Sequence, residues 1–157
     1  MEKTPTSSSA ATNPDETIHE VGLGETINGF VVTELHAESN VSTLYRVTHP
    51  GHGLAMLMKV PKLHKKLPPS TYTGFESEVR ILSGLKGPYV PAYIDSGDMA
   101  ECPYLVMEFI DTQLLAAAVA AAPLPSDRIV DLMAPVCKAV NELHRQNVIH
   151  LDLRPAN

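Results

Sequence analysis

The sequence predicts an α+β chain: a five-stranded antiparallel sheet with one helix set into it, followed by helices alone. Three observations carry this reading. Short runs rich in β-branched and aromatic residues, separated by turn signals, fill residues 30–61 and return at 90–109. A helical period of apolar residues lies between those two groups, over 71–86. Beyond residue 111 the strand-like runs cease and two helical stretches take over.

Residues 1–20 are rich in Ser, Thr, Ala and Pro and poor in large apolar side chains. Such a segment buries too little surface to offset its ordering entropy, so a disordered tail is expected. Phe30–Leu35 reads as the first strand, and the small polar residues His36–Ser42 as its turn. Leu44–Thr48 is the second strand, His49-Pro50-Gly51-His52-Gly53 a turn, and Leu54–Val60 a third strand ended by Pro61. Short loops between the three imply an antiparallel meander. After a basic loop, Lys62–Ser70, the helix Thr71–Lys86 aligns Phe75, Val79 and Leu82 on one face, with Leu85 beyond. Val90–Asp95 and Tyr104–Phe109 supply the fourth and fifth strands around the Ser96-Gly97-Asp98 turn. Thr112–Ala121 is Ala-rich and helix-forming, and Pro123 and Pro125 break it. Ser126 is the expected cap of a long helix, Asp127–Arg145, with Ile129, Leu132, Met133, Val136, Val140 and Leu143 as its buried stripe. Asn147 closes that helix.

Composition narrows the function classes. The formal charge of −6, a pI near 5.6 and the lack of a Lys/Arg-rich face argue against nucleic acid as a partner. Cys102 and Cys137 are too few for a disulfide framework or a zinc site. The longest apolar run, Leu114–Ala122, is too short to span a bilayer, and no signal-peptide core stands at the N-terminus. The expectation is a soluble cytoplasmic protein with no membrane partner. Nothing in the sequence sets an oligomeric state.

Two charges sit where apolar residues are expected. Lys59 is the only charge in the strand Leu54–Val60. It either snorkels to solvent from the strand end or is held inside to meet an anion, which requires a carboxylate partner. Glu78 falls on the apolar face of the helix, beside Val79, where an unpaired carboxylate is costly. The two are therefore expected to pair. A third signal lies at the end, in Val148–Asn157, VIHLDLRPAN. His150, Asp152 and Asn157 form the pattern H-x-D-x-x-x-x-N, with Pro155 stiffening the loop. Phosphoryl transfer needs those types at that spacing: the Asp orients an attacking hydroxyl, and the Asn offers its amide oxygen to Mg²⁺. The bland alternative is a loop whose His and Asp cap local structure.

VIHLDLRPAN resembles the catalytic loop of protein kinases in its serine/threonine form, H-R-D-L-K-P-x-N, and HLDLRPAN is similar to a bacterial form of it. LMKV resembles the V-A-I-K strand, FESEVRIL the helix whose Glu holds that Lys, and LVMEFI the hinge. The resemblance covers roughly residues 28–157. It implies a kinase small lobe and hinge over 28–110 and the start of a large lobe over 111–157. It also implies ATP and Mg²⁺ as cofactors and protein hydroxyls as substrates. Lys59 and Glu78 would then serve the nucleotide phosphates. Asp152 would be the catalytic carboxylate, with Arg154 replacing the loop Lys, and Asn157 a metal ligand. Ala37, Ser39 and Ser42 would occupy the phosphate-loop positions, Met107 the gatekeeper position, and Glu108 to Ile110 the adenine-binding hinge.

Several positions depart from that family pattern. Ala37, Ser39 and Ser42 stand where glycines let backbone amides approach phosphates. Leu57 replaces the small Ala of V-A-I-K, and Leu151 replaces the Arg of H-R-D, so control by an activation-loop phosphate is not expected in its usual form. No D-F-G or A-P-E occurs within the 157 residues. A fragment of a longer kinase or a truncated product is therefore expected, inactive alone. Two other classes stay open: a small-molecule phosphotransferase of the aminoglycoside or choline kinase type, and a non-catalytic, pseudokinase-like binding module.

Overall fold

The computed structural model describes residues 21–62 and 69–156. The tail expected over 1–20, most of the basic loop and Asn157 lie outside those residues. Strands β1 (Thr26–Ile27), β2 (Phe30–Glu38), β3 (Ser42–His49) and β4 (His52–Pro61) precede helix α1 (Pro69–Gly84). Strands β5 (Tyr93–Ser96) and β6 (Leu105–Glu108) follow, then helices α2 (Leu115–Ala120) and α3 (Ser126–Arg145). All strand pairs are antiparallel, in the order β1-β2-β3-β4-β6-β5. The expected meander is β2-β3-β4. The chain then leaves through α1 and returns so that β6 lies against β4.

The sheet has six strands among the described residues, not five. The extra one is β1, in a hairpin whose turn is Asn28-Gly29, flanked by the pair Ile27↔Phe30. Both turn residues have positive φ, 48° and 86°, as a two-residue hairpin with the right strand twist requires. Gly29 is also needed for space, because a Cβ there would lie 2.7 Å from His49 Nε2.

One face of the sheet is dry. Val32, Tyr45, Val47, Met56, Met58, Val60, Tyr104 and Val106 alternate along β2, β3, β4 and β6 into a single core, joined by Val21, Ile27 and Phe30. A partly buried polar string crosses this core's edge. Asn28 donates to the Tyr104 hydroxyl at 2.8 Å, and that hydroxyl donates to Asp95 at 2.8 Å, tying the β1–β2 turn to β5 and β6. Strand alternation and the pairs Leu44↔Lys59, Lys59↔Leu105 and Leu57↔Met107 put those residues together on the opposite face.

The helical part departs more from expectation. α2 has six residues, shorter than 112–121, and nothing in it is buried. Pro125, not Ser126, is the cap residue of α3, and no side chain caps that end. The stripe expected on α3 is only half covered: Leu132, Val136, Val140 and Leu143 are partly buried, while Ile129 and Met133 are exposed. α2 shields one flank, leaving an open apolar groove lined by Leu115, Val119, Ile129, Leu132 and Met133. The C-terminal end is as expected. Asn147, at φ 59°, follows the cap, and the Val148 and Asn147 N–H groups return to the Leu143 and His144 carbonyls, both at 3.0 Å. Those paired bonds are the Schellman arrangement, which an Asn at positive φ allows.

Candidate active site

Lys59 leaves the open face of β4, and Glu78 meets it from α1. Both carboxylate oxygens accept from the Lys59 ammonium, at 2.7 and 2.6 Å. On α1 Phe75 is buried and lines the same cavity as this pair; Glu78, Val79, Leu82 and Leu85 follow on the same partly buried face. The other carboxylate of this helix segment, Glu76, turns outward to Arg80 at 3.3 Å. The pair is partly open, with side-chain exposures of 24% for Lys59 and 41% for Glu78. It faces a cavity of about 260 Å³ lined by Val41, Ser42, Lys59, Pro61, Phe75 and Glu78 among others. An ammonium has three protons, so one remains for an anion in that cavity.

Of the phosphate-loop candidates, Ser42 lines the cavity. Ser39 lies at the exposed β2–β3 turn, its Oγ 3.4 Å from that of Ser42. Ala37 is exposed on β2, opposite Leu44. At the other edge of the open face, the Glu108 N–H donates to the Ala92 carbonyl at 2.9 Å, and its carboxylate accepts from the Ala92 N–H at 3.1 Å. Ile110 follows, 48% exposed. Leu57 and Met107 are cross-strand neighbours, so two long side chains stand together where the resemblance implied one small one.

A second group sits beyond α3. The Arg154 guanidinium donates to Asp152 at 3.1 Å, and the Asp152 N–H donates to His150 Nδ1 at 3.3 Å. The loop is fastened to the start of α2 by Ala116 N–H to the Pro155 carbonyl, at 2.7 Å. Leu151, between His150 and Asp152, has φ 61° and is 90% exposed. A branched side chain in the left-handed region is strained, and such strain collects at functional loops. The metal-ligand position, Asn157, lies outside the described residues. Among the described residues no cluster of three or more His, Cys, Asp or Glu is arranged to hold a metal ion.

Two further contacts were not read from the sequence. The Arg46 guanidinium lies 3.9 Å from the centroid of the Phe109 ring, and His36 meets that ring edge-on at 5.3 Å. They fasten the segment after β6 to β2 and β3, and the Phe109 N–H, donating to the Ala55 carbonyl at 2.8 Å, fastens it to β4. The Gln146 side-chain amide also bonds both ways with the Lys86 backbone, at 3.0 and 2.8 Å, joining the end of α3 to the segment after α1. No local pattern announces either contact. The β1 hairpin did have a signal, the Asn-Gly pair.

Comparisons with known proteins assign the chain to a family. The model of the protein kinase domain matches residues 38–157. The chain belongs to the protein kinase family. It is 28% identical over 151 residues to the serine/threonine-protein kinase PknB of Mycobacterium tuberculosis, covering 93% of this chain and 23% of that one. It is 26% identical over 135 residues to the serine/threonine-protein kinase Pkn1 of Myxococcus xanthus, covering 86% and 19%. The chain thus spans about a fifth of the length of these relatives. The crystal structure of the M. tuberculosis PknI kinase domain superposes with a TM-score of 0.70 at 22% identity, over 88% of this chain and 57% of that one. That likeness establishes the fold: an α+β kinase small lobe with early helices of the large lobe. No helix among the described residues is long and apolar enough to cross a membrane.

Proposed function

We propose that the whole protein is an ATP-dependent serine/threonine protein kinase, with residues 28–110 as small lobe and hinge and 111–157 as the start of the large lobe. The observation that carries this is the two-oxygen grip of Glu78 on Lys59 beside the Ser42 cavity. Lys59 donates its remaining proton to the nucleotide's phosphate oxygens, and Glu78 fixes the direction of that donation. Leu44, Leu57 and Met107 form the apolar roof over the base, and the backbone from Glu108 to Ile110 reads its edge. Asp152 orients the hydroxyl of a Ser or Thr in a protein substrate, with Arg154 holding the carboxylate and placing a positive charge beside the transferred group. Asn157 would be a Mg²⁺ ligand. Mg²⁺, when bound with ATP, screens the charge on the phosphates. The working compartment is the cytoplasm.

A second reading, a binding module that holds nucleotide without transferring phosphate, is favoured by Leu57 beside Met107 and by the glycine-free turn. Transfer of labelled γ-phosphate by the full-length protein to a mixed protein acceptor separates the two. Label on Ser and Thr, lost in Asp152→Asn while nucleotide binding persists, supports the kinase. Nucleotide binding with no transfer by the parent supports the binding module and overturns the kinase. Label on a small-molecule hydroxyl and none on protein overturns both in favour of a small-molecule phosphotransferase.

A further inference from the structure

The turn joining β2 to β3 satisfies its own amides. Ser39 Oγ accepts from the Ser42 N–H at 3.1 Å and from the Val41 N–H at 3.3 Å, and donates to the Ser42 carbonyl at 3.0 Å. The Ser39 N–H donates to the same carbonyl at 2.9 Å. The turn is also fastened from outside. The Lys62 N–H donates to the Val41 carbonyl at 2.9 Å, and the Lys62 ammonium pairs with Glu38. Val41 and Ser42 line the same cavity as Lys59 and Glu78.

Successive backbone N–H groups converging on one oxygen are a recurrent way of binding anions. Here the oxygen in that position belongs to the chain. A glycine at 39 would leave the two amides to a ligand, whereas a serine supplies them with a hydroxyl. We infer that Ser39 is an internal cap on the phosphate site: its hydroxyl holds the amides that a nucleotide's phosphate oxygen must win, so Ser39 weakens nucleotide binding rather than contributing to it. The inference rests on the nucleotide-site reading above and assigns Ser39 a role opposite to that of a phosphate ligand. Ser39 is a positioning residue here, because it acts through Val41 and Ser42.

The test is calorimetric titration of the full chain with MgATP and, separately, with adenosine, which has no phosphate to compete for the amides. Ser39→Ala removes the cap from an exposed turn. It is expected to tighten MgATP about fivefold to tenfold, the worth of roughly one net hydrogen bond released to the ligand. Adenosine affinity should stay where it was. Ser39→Thr keeps a hydroxyl at the same reach and should return MgATP binding to within about twofold of the parent. A parent silent toward MgATP alongside a Ser39→Ala chain that binds it also supports the cap. Unchanged or weaker MgATP binding by Ser39→Ala, with adenosine still bound, overturns the cap and leaves the nucleotide site standing. Failure of parent and variant to bind either compound overturns both.

Discussion

Tyr104 shows how one polar atom is kept in a dry sheet. Its ring is 1% exposed, and its hydroxyl accepts from Asn28 and donates to Asp95. Burial, with Asp95 beside it, raises the phenol above its ordinary value of 10.0. Tyr104→Phe leaves both partners short of a bond and should lower the unfolding free energy by about 1–2 kcal/mol in urea denaturation. The raised value also sets a pH dependence. The folded phenol keeps its proton where the unfolded one loses it, so this contribution is whole below pH 10 and falls as pH rises beyond. Alkaline denaturation of Tyr104→Phe should show less of that fall. Leu151 carries strain of the opposite kind, since its left-handed backbone costs roughly 1–2 kcal/mol and it covers no core. Leu151→Gly removes the strain but adds entropy to the unfolded chain, so a net gain of about 0.5–1 kcal/mol in stability is expected by denaturation.

At the scale of elements, the joint between the two parts of the chain is narrow. Gln146, one residue past α3, bonds twice to Lys86. Gln146→Ala should speed amide hydrogen exchange at Leu85, Lys86 and Gly87 while leaving β3 and β4 protected; unchanged exchange at those three amides would show that other contacts hold the joint. Local pattern made the long elements legible. The apolar run 54–60 with its single charge, ended by Pro61, and the helical spacing of Phe75, Val79 and Leu82 gave β4, α1 and the meeting of Lys59 with Glu78. β1 went unread because a two-residue strand has no period, though its Asn-Gly turn was visible. The α3 stripe was read as buried because an amphipathic pattern shows which face is apolar and not how much of it a neighbour covers. The clasp of Arg46 on Phe109 and the self-capped Ser39 turn depend on side chains brought together by β2–β3 pairing and bulges, which composition and spacing do not encode.

For the molecule as a whole, the central claim is that the Lys59–Glu78 pair serves a ligand and not the fold. An ion pair exposed to this degree is worth about 0–1 kcal/mol of stability, too little to explain a lysine in an apolar strand. Met in its place suits the strand, so Lys59→Met should unfold within about 1 kcal/mol of the parent. The direct measurement is a double-mutant cycle on MgATP affinity in the full-length protein, using Lys59→Met, Glu78→Gln and the double variant. The account predicts that Lys59→Met weakens binding about tenfold to a hundredfold, as loss of a charge-assisted hydrogen bond should. Glu78→Gln should weaken it less, and the double variant should bind no more weakly than Lys59→Met alone, because Glu78 acts only through Lys59. Equal MgATP affinity in all four proteins, or losses that simply add, would contradict it.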